Sequence, residues 1–273
     1  MGKSKVRQPQ VAGRFYPSSS QELKKQIDNL VDKKAAKLDA IACMLPHAGY
    51  MYSGRVAAKT LSRINIKEKI ILLGPNHTGS GAKFSIMTEG IWQTPLGEVK
   101  IDSLLAKEIL NSSEYLEDDT LAHRYEHSLE VELPFLQYFK ADFEIVPITF
   151  LSDESEALKK IGREIADSVK KRKINNSTII IASSDMTHYE PEGEAKKKDA
   201  EAIEAILELD EDKLMQRIRR LNISMCGCAP VIAMISAAKC LGAKIAKLIN
   251  YQTSGDVTGD RESVVGYAGI IVY

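Results

Sequence analysis

Apolar runs rich in β-branched residues recur along the chain and alternate with amphipathic stretches. The runs predict strands over residues 40–45, 69–74, 84–88, 143–149, 177–182, 244–251 and 264–272. Between them, apolar positions at helical spacing predict helices over 21–32, 54–63, 103–110, 128–138, 154–171, 195–208, 211–219 and 229–241. Ser19 followed by Glu22 has the form of a capping box, and Asp210 is placed to cap the helix that opens at Glu211. Strands that alternate with helices predict a parallel sheet covered on both faces. The stretch 84–101 departs from this rhythm: Trp92, Pro95 and Gly97 lie between two short strand-like pieces, which reads as a hairpin or an antiparallel edge. The expectation is therefore a single α/β domain over residues 1–273, with a central mixed, largely parallel β-sheet flanked by helices. There is no internal repeat, low-complexity segment or linker. The longest loop-like regions, 112–124 and 183–191, do not have the character of domain boundaries.

Composition narrows the function classes. No apolar run approaches the roughly 20 residues that span a bilayer. The opening residues 1–10 are polar and basic with no apolar centre, so no secretory signal is read and a cytoplasmic location is expected. The 37 basic and 37 acidic residues cancel, which argues against a nucleic-acid partner. The nearest basic cluster, Lys196 to Lys198, is flanked by Glu192, Glu194, Asp199 and Glu201 and reads as a solvated helix face. Four cysteines without a leader do not form a disulfide framework. Cys226 and Cys228 have one residue between them, not the two of the usual redox or zinc pair.

Three of the five histidines fall just past a predicted strand: His47 in Pro-His-Ala-Gly-Tyr, His77 in Gly-Pro-Asn-His-Thr-Gly, and His188 after Ser183-Ser184-Asp185. Ligands of open α/β sheets bind outside the carboxyl ends of the strands, so neighbouring strands would bring these imidazoles together. Gly49, Gly74, Gly79 and Gly81 permit close approach of a ligand to the backbone. Cys226 and Cys228 both lie near the start of a predicted helix, where the dipole favours a thiolate; position does not choose between them. Cys43 and Cys240 fall inside apolar runs and read as packing residues. Glu126-His127-Ser128-Leu129-Glu130 is a second polar constellation, in which His127 is a candidate substrate contact and Arg124 with Glu126 has the look of a solvated loop. His123 and His127 would share a face if the segment were helical; His123 reads as structural. Asp185, three residues before His188, could orient an imidazole. Gly79-Ser80-Gly81 is too short for a phosphate loop, and no nucleotide cofactor is expected.

A set of segments follows in order along the chain: the opening Gln8-Pro9-Gln10-Val11-Ala12-Gly13-Arg14-Phe15-Tyr16-Pro17, then Pro46-His47-Ala48-Gly49-Tyr50 and Gly74-Pro75-Asn76-His77. Glu126 to Glu130, Ser183-Ser184-Asp185 with His188, and Cys226-Gly227 with Pro230 complete it. Taken together and in this order, these segments resemble those of the Memo family. The resemblance implies a fold similar to the class III extradiol dioxygenases, in which two histidines and a glutamate hold iron(II) and a further histidine acts as acid–base. By match, His47 and His77 are the two histidine ligands, Cys226 takes the third position, and His188 is the acid–base group. A sulfur in place of the carboxylate makes the site softer and more easily oxidised, so dioxygenase chemistry does not carry over directly.

Three functions compete at this point. The first is a metal-dependent oxidoreductase: His47, His77 and Cys226 hold iron(II) or copper, ahead of zinc, while His188, Asp185 and His127 serve as catalytic or substrate-holding groups. The second is a non-catalytic module that binds a peptide or protein in the same cleft, with Tyr50, Tyr52, Trp92 and Tyr189 as candidate lining. The third is metal handling. Family association adds AMMECR-type and radical-SAM proteins as expected partners; the sequence names no small-molecule substrate and gives no reason to expect a membrane partner.

Overall fold

The β-branched runs form the centre of the molecule. The computed structural model describes residues 6–273; residues 1–5, part of the N-terminal stretch read above as leaderless, lie outside the described residues. In chain order the elements are β1 (Val6–Arg7), α1 (Ser20–Leu30), β2 (Ala42–Leu45), α2 (Gly54–Leu61), β3 (Lys69–Pro75), β4 (Phe84–Ile86), β5 (Ile91–Thr94), β6 (Gly97–Ile101), α3 (Ser103–Ser112), β7 (Glu117–Asp118), α4 (Leu121–Arg124) and α5 (Glu132–Phe139). They continue with β8 (Glu144–Phe150), α6 (Ser155–Lys171), β9 (Thr178–Ser183), β10 (His188–Glu190), α7 (Glu192–Leu207), α8 (Glu211–Leu221), α9 (Cys228–Cys240), β11 (Ala246–Thr253), α10 (Gly255–Thr258) and β12 (Val264–Val272).

Four parallel strands, in the order β8-β3-β9-β2, make the middle of one mixed sheet. Every residue of β2 and β9 is buried, as the continuous apolar runs require of strands covered on both sides. Antiparallel pieces extend the sheet at either end. β12 pairs with β2 and carries β11 and β10, while the β5–β6 hairpin continues past β8. The expected mixed α/β sheet and the hairpin in 84–101 are both present.

α9 lies over β9 and β3 and packs against α6. Ten of its thirteen residues are buried, which explains why it is apolar on nearly every side. At Gly162 of α6 an added Cβ would come within 2.4 Å of the Ala233 carbonyl, so the missing side chain sets how closely the two helices approach. α1, α2 and α5 form a separate group, with α2 on β12 and β11. The two predicted caps form: Ser19 accepts from the Glu22 N–H at 3.5 Å and Asp210 from the Lys213 N–H at 2.8 Å.

Some boundaries differ. α5 begins at Glu132, not near Ser128, because the Ser128 hydroxyl donates to the Pro75 carbonyl at 2.9 Å instead of capping a helix. The stretch 112–124 contains β7 and α4, and 183–191 contains β10; these pieces of two to four residues form by pairing and packing and leave little periodic trace. Lys196, Lys197 and Lys198 pair with Glu192, Glu194 and Glu190, as a solvated helix face does.

Candidate metal centre

Three site residues occupy the same position on neighbouring strands. His47 lies two residues past the end of β2, Asp185 two past β9, and His77 two past β3. Since β2, β9 and β3 are adjacent and parallel, their carboxyl ends deliver the three side chains to one edge. Cys226 joins them from the turn before α9, His188 from β10, and His127 from the turn between α4 and α5. All six line one cavity of about 610 Å³. Its wall is otherwise mainly apolar and aromatic, with Phe15, Tyr52, Tyr189, Val265 and Tyr267, and Arg14 at its rim.

Three of the four imidazoles, those of His47, His77 and His188, are held through Nδ1. His47 Nδ1 lies 2.8 Å from Ser183 Oγ, and its ring is 2 % exposed. His77 Nδ1 lies 2.9 Å from Glu126 Oε1, and its backbone N–H donates to the other carboxylate oxygen at 2.5 Å. His188 Nδ1 donates to the Ser224 carbonyl at 2.8 Å, while its backbone N–H donates to Ser224 Oγ. A ring anchored at Nδ1 presents Nε2 as its free donor atom, the arrangement that outer hydrogen bonds impose on metal-bound histidines. His47 Nε2 lies 3.3 Å from Cys226 Sγ. The ring centroids of His47 and His77 are 5.2 Å apart, and His127 stacks on His77 at 4.7 Å.

Asp185 ties the pieces together. Its carboxylate accepts the His47 backbone N–H at 2.8 Å, and its own N–H donates to Cys226 Sγ at 3.3 Å. Burial raises the Asp185 carboxyl to about 6, against the pull of the His47 N–H. Burial, followed by the Asp185 charge, also raises the Cys226 thiol, so the helix dipole does not yield the free thiolate that its position suggested. Burial and then the neighbouring imidazoles hold His47 well below the usual histidine range. Burial pushes Glu126 up, but His77 and the Ser128 N–H outweigh it and hold the carboxyl at about 2.

The donor set fits a transition metal. Ligand atoms of His47, His77 and Cys226 lie within 4.8 Å of one another. Atoms bound to one ion at about 2.0–2.3 Å need a separation of roughly 3–4.5 Å. Two imidazoles and a sulfur suit iron, copper or zinc and do not suit magnesium or calcium. His77, Glu126 and His127 form a second close group. There the Glu126 oxygens already accept from the His77 ring, the His77 N–H and the Ser128 N–H, so this carboxylate is committed to orienting His77.

The same geometry places the remaining candidate residues. Cys228 faces a different cavity, although Cys226 and His77 border that one too. Tyr52 and Tyr189 line the site, but Tyr50 and Trp92 do not: Tyr50 is buried and donates to the Val131 carbonyl, and Trp92 is fully buried beside Arg7. His123 and His127 do not share a face; His123 is fully buried near Trp92. Glu126 is 1 % exposed and structural to the site, not part of a solvated loop. Ser183, Ser224, Glu132 and Phe15 serve the site without having been singled out. Ser183 stood inside a noted motif, whereas Glu132 lies in an otherwise apolar stretch and gave no signal.

Fold and site together define an α/β protein with a His/His/Cys donor cluster at the carboxyl edge of its sheet. The family model described as Memo-like protein matches residues 7–271. MEMO1 family proteins of Methanocaldococcus jannaschii and Aquifex aeolicus are each 44 % identical, over 98 % of this chain and 99 % of theirs. That of Methanopyrus kandleri is 42 % identical over 97 % of this chain and 98 % of its own. The chain belongs to the Memo family. An uncharacterized Escherichia coli K12 protein shares the fold at a TM-score of 0.55 and 13 % identity, over 84 % of this chain and 98 % of that one.

Proposed function

We propose that this protein is a metal-dependent redox protein whose ion, iron(II) or copper(I), is held by His47, His77 and Cys226. The observation that carries the reading is the convergence of those three donors, with both imidazoles fixed through Nδ1. Such an ion supplies reversible one-electron exchange and open positions for a substrate. The chain's own residues do the rest. Asp185 fixes the loops that carry His47 and Cys226. Its carboxyl borders the cavity, where it can also exchange a proton with a bound substrate. His188, held by Ser224, turns Nε2 to the cavity as a proton carrier. Phe15, Tyr52 and Tyr267 offer flat apolar faces to a small organic substrate and reduce its contact with water.

A second reading, a peptide-binding cleft without turnover, draws on the exposed Met51 and Tyr189 at the mouth, which are 62 % and 77 % accessible. One preparation separates the two. Protein purified without oxygen is assayed for iron, copper and zinc beside folded His47→Ala and Cys226→Ser variants, followed by oxygen uptake with catechol-like substrates. Near-stoichiometric metal that both variants lose, with uptake that follows the metal, supports the redox reading. A wild type that takes up neither iron nor copper on reconstitution overturns it and leaves the binding cleft.

A further inference from the structure

Behind His47 lies a buried carboxyl that the proposed chemistry does not use. Ser183 Oγ has three polar neighbours at hydrogen-bond distance: His47 Nδ1, the Ser128 carbonyl and Glu132 Oε1, each at 2.8 Å. A hydroxyl has one proton to give and two lone pairs to fill. The Ser128 carbonyl can only accept, so it takes the Ser183 proton. Both remaining neighbours must then donate. If Glu132 were ionised, two acceptor oxygens would compete for one proton and one contact would be a bare O···O approach.

The surroundings agree. Glu132 is fully buried, its Oε2 has no partner, and it forms no ion pair among the described residues. The titratable groups that face it, Cys43, Tyr50 and Asp185, bring no positive charge. Burial accordingly raises its pKa well above the usual carboxyl value.

We infer that Glu132 is a neutral carboxylic acid that donates to Ser183 and, through that hydroxyl, holds His47 with a proton on Nδ1 and Nε2 bare toward Cys226. Glu132 is thus a positioning residue two hydrogen bonds behind the site. The effect on metal rests on His47 being a ligand, but the protonation pattern does not.

Two spectra of the metal-free wild type test the pattern. Infrared difference spectroscopy against Glu132→Gln should show a protonated-carboxyl band at neutral pH that the variant lacks. Nitrogen-15 NMR should find the His47 proton on Nδ1. A carboxylate band, or a proton on Nε2 alone, overturns the inference whether or not metal binds; both spectra as expected with no metal uptake would sink only the redox reading. For the positioning role, Glu132→Gln keeps a donor and should hold metal within about threefold of wild type. Glu132→Leu has none and should bind about 10–100-fold more weakly. Equal affinity in the two variants refutes the role. If Glu132→Leu does not fold, Ser183→Ala carries the same comparison.

Discussion

His77 owes its orientation to Glu126, whose carboxylate grips both its ring and its backbone N–H. Glu126→Gln keeps the size but turns one acceptor into a donor facing N–H groups. The expected result is a metal affinity about 10–100-fold lower in a chelator competition, at unchanged fold; an unchanged affinity would mean that His77 does not need this anchor. His123 predicts a pH effect. Burial, then Arg7, lowers it from 6.5 to about 4 in the folded chain, so the unfolded chain binds more protons between those values. The His123 contribution to stability should therefore fall as pH drops from 6.5 to 4, by up to roughly 3 kcal/mol. Asp185 works in the opposite sense: raised from 3.8 to about 6, it adds stability as pH falls through 6. In urea melts across this range, the stability of wild type relative to His123→Phe should fall as pH drops from 6.5 to 4, and a difference that stays constant would contradict the account.

At the scale of elements, the start of α9 fixes Cys226 against the end of β9. An added Cβ at Gly227 would lie 2.4 Å from both the Ser183 carbonyl and Ser184 Cβ. Gly227→Ala should then cost about 1–3 kcal/mol in urea unfolding and weaken metal binding by displacing Cys226; a variant with wild-type values for both would show that the turn is slack. This turn also shows what the sequence could and could not disclose. The parallel strands were legible because β2, β3 and β9 are short apolar runs buried on both faces, and the histidines past them stood out as polar residues at strand ends. The fold alone makes those strands neighbours. Cys226 and Cys228 were equivalent by position; the family resemblance chose Cys226, and the turn before α9 brings that thiol, not Cys228, to the cavity lined by His47 and His77. β1, β7 and β10 have two or three residues each, too few for a period, and exist because a neighbouring strand is there to pair.

Across the whole molecule, the N-terminal segment is clipped over the site by one buried ion pair. Glu130 accepts from Arg7 at 2.7 Å, from Tyr16, and from the N–H groups of Gln10 and Val11. Phe15, held in this way, stands edge-on to His127 with ring centroids 5.0 Å apart and closes one side of the cavity. Arg7→Met leaves a buried carboxylate without its cation and should lower stability by about 3–5 kcal/mol, read by denaturant unfolding; a loss below about 1 kcal/mol would mean that the clip is not under this control. The central claim concerns the trio that the clip helps to enclose. Its most direct test is X-ray absorption at the metal edge of protein loaded without oxygen with iron(II) or copper(I), beside Cys226→Ser. The account predicts one sulfur and two imidazoles around the ion, with the sulfur signal lost in the variant; a shell of oxygen and nitrogen only, or a sulfur that survives Cys226→Ser, would contradict it.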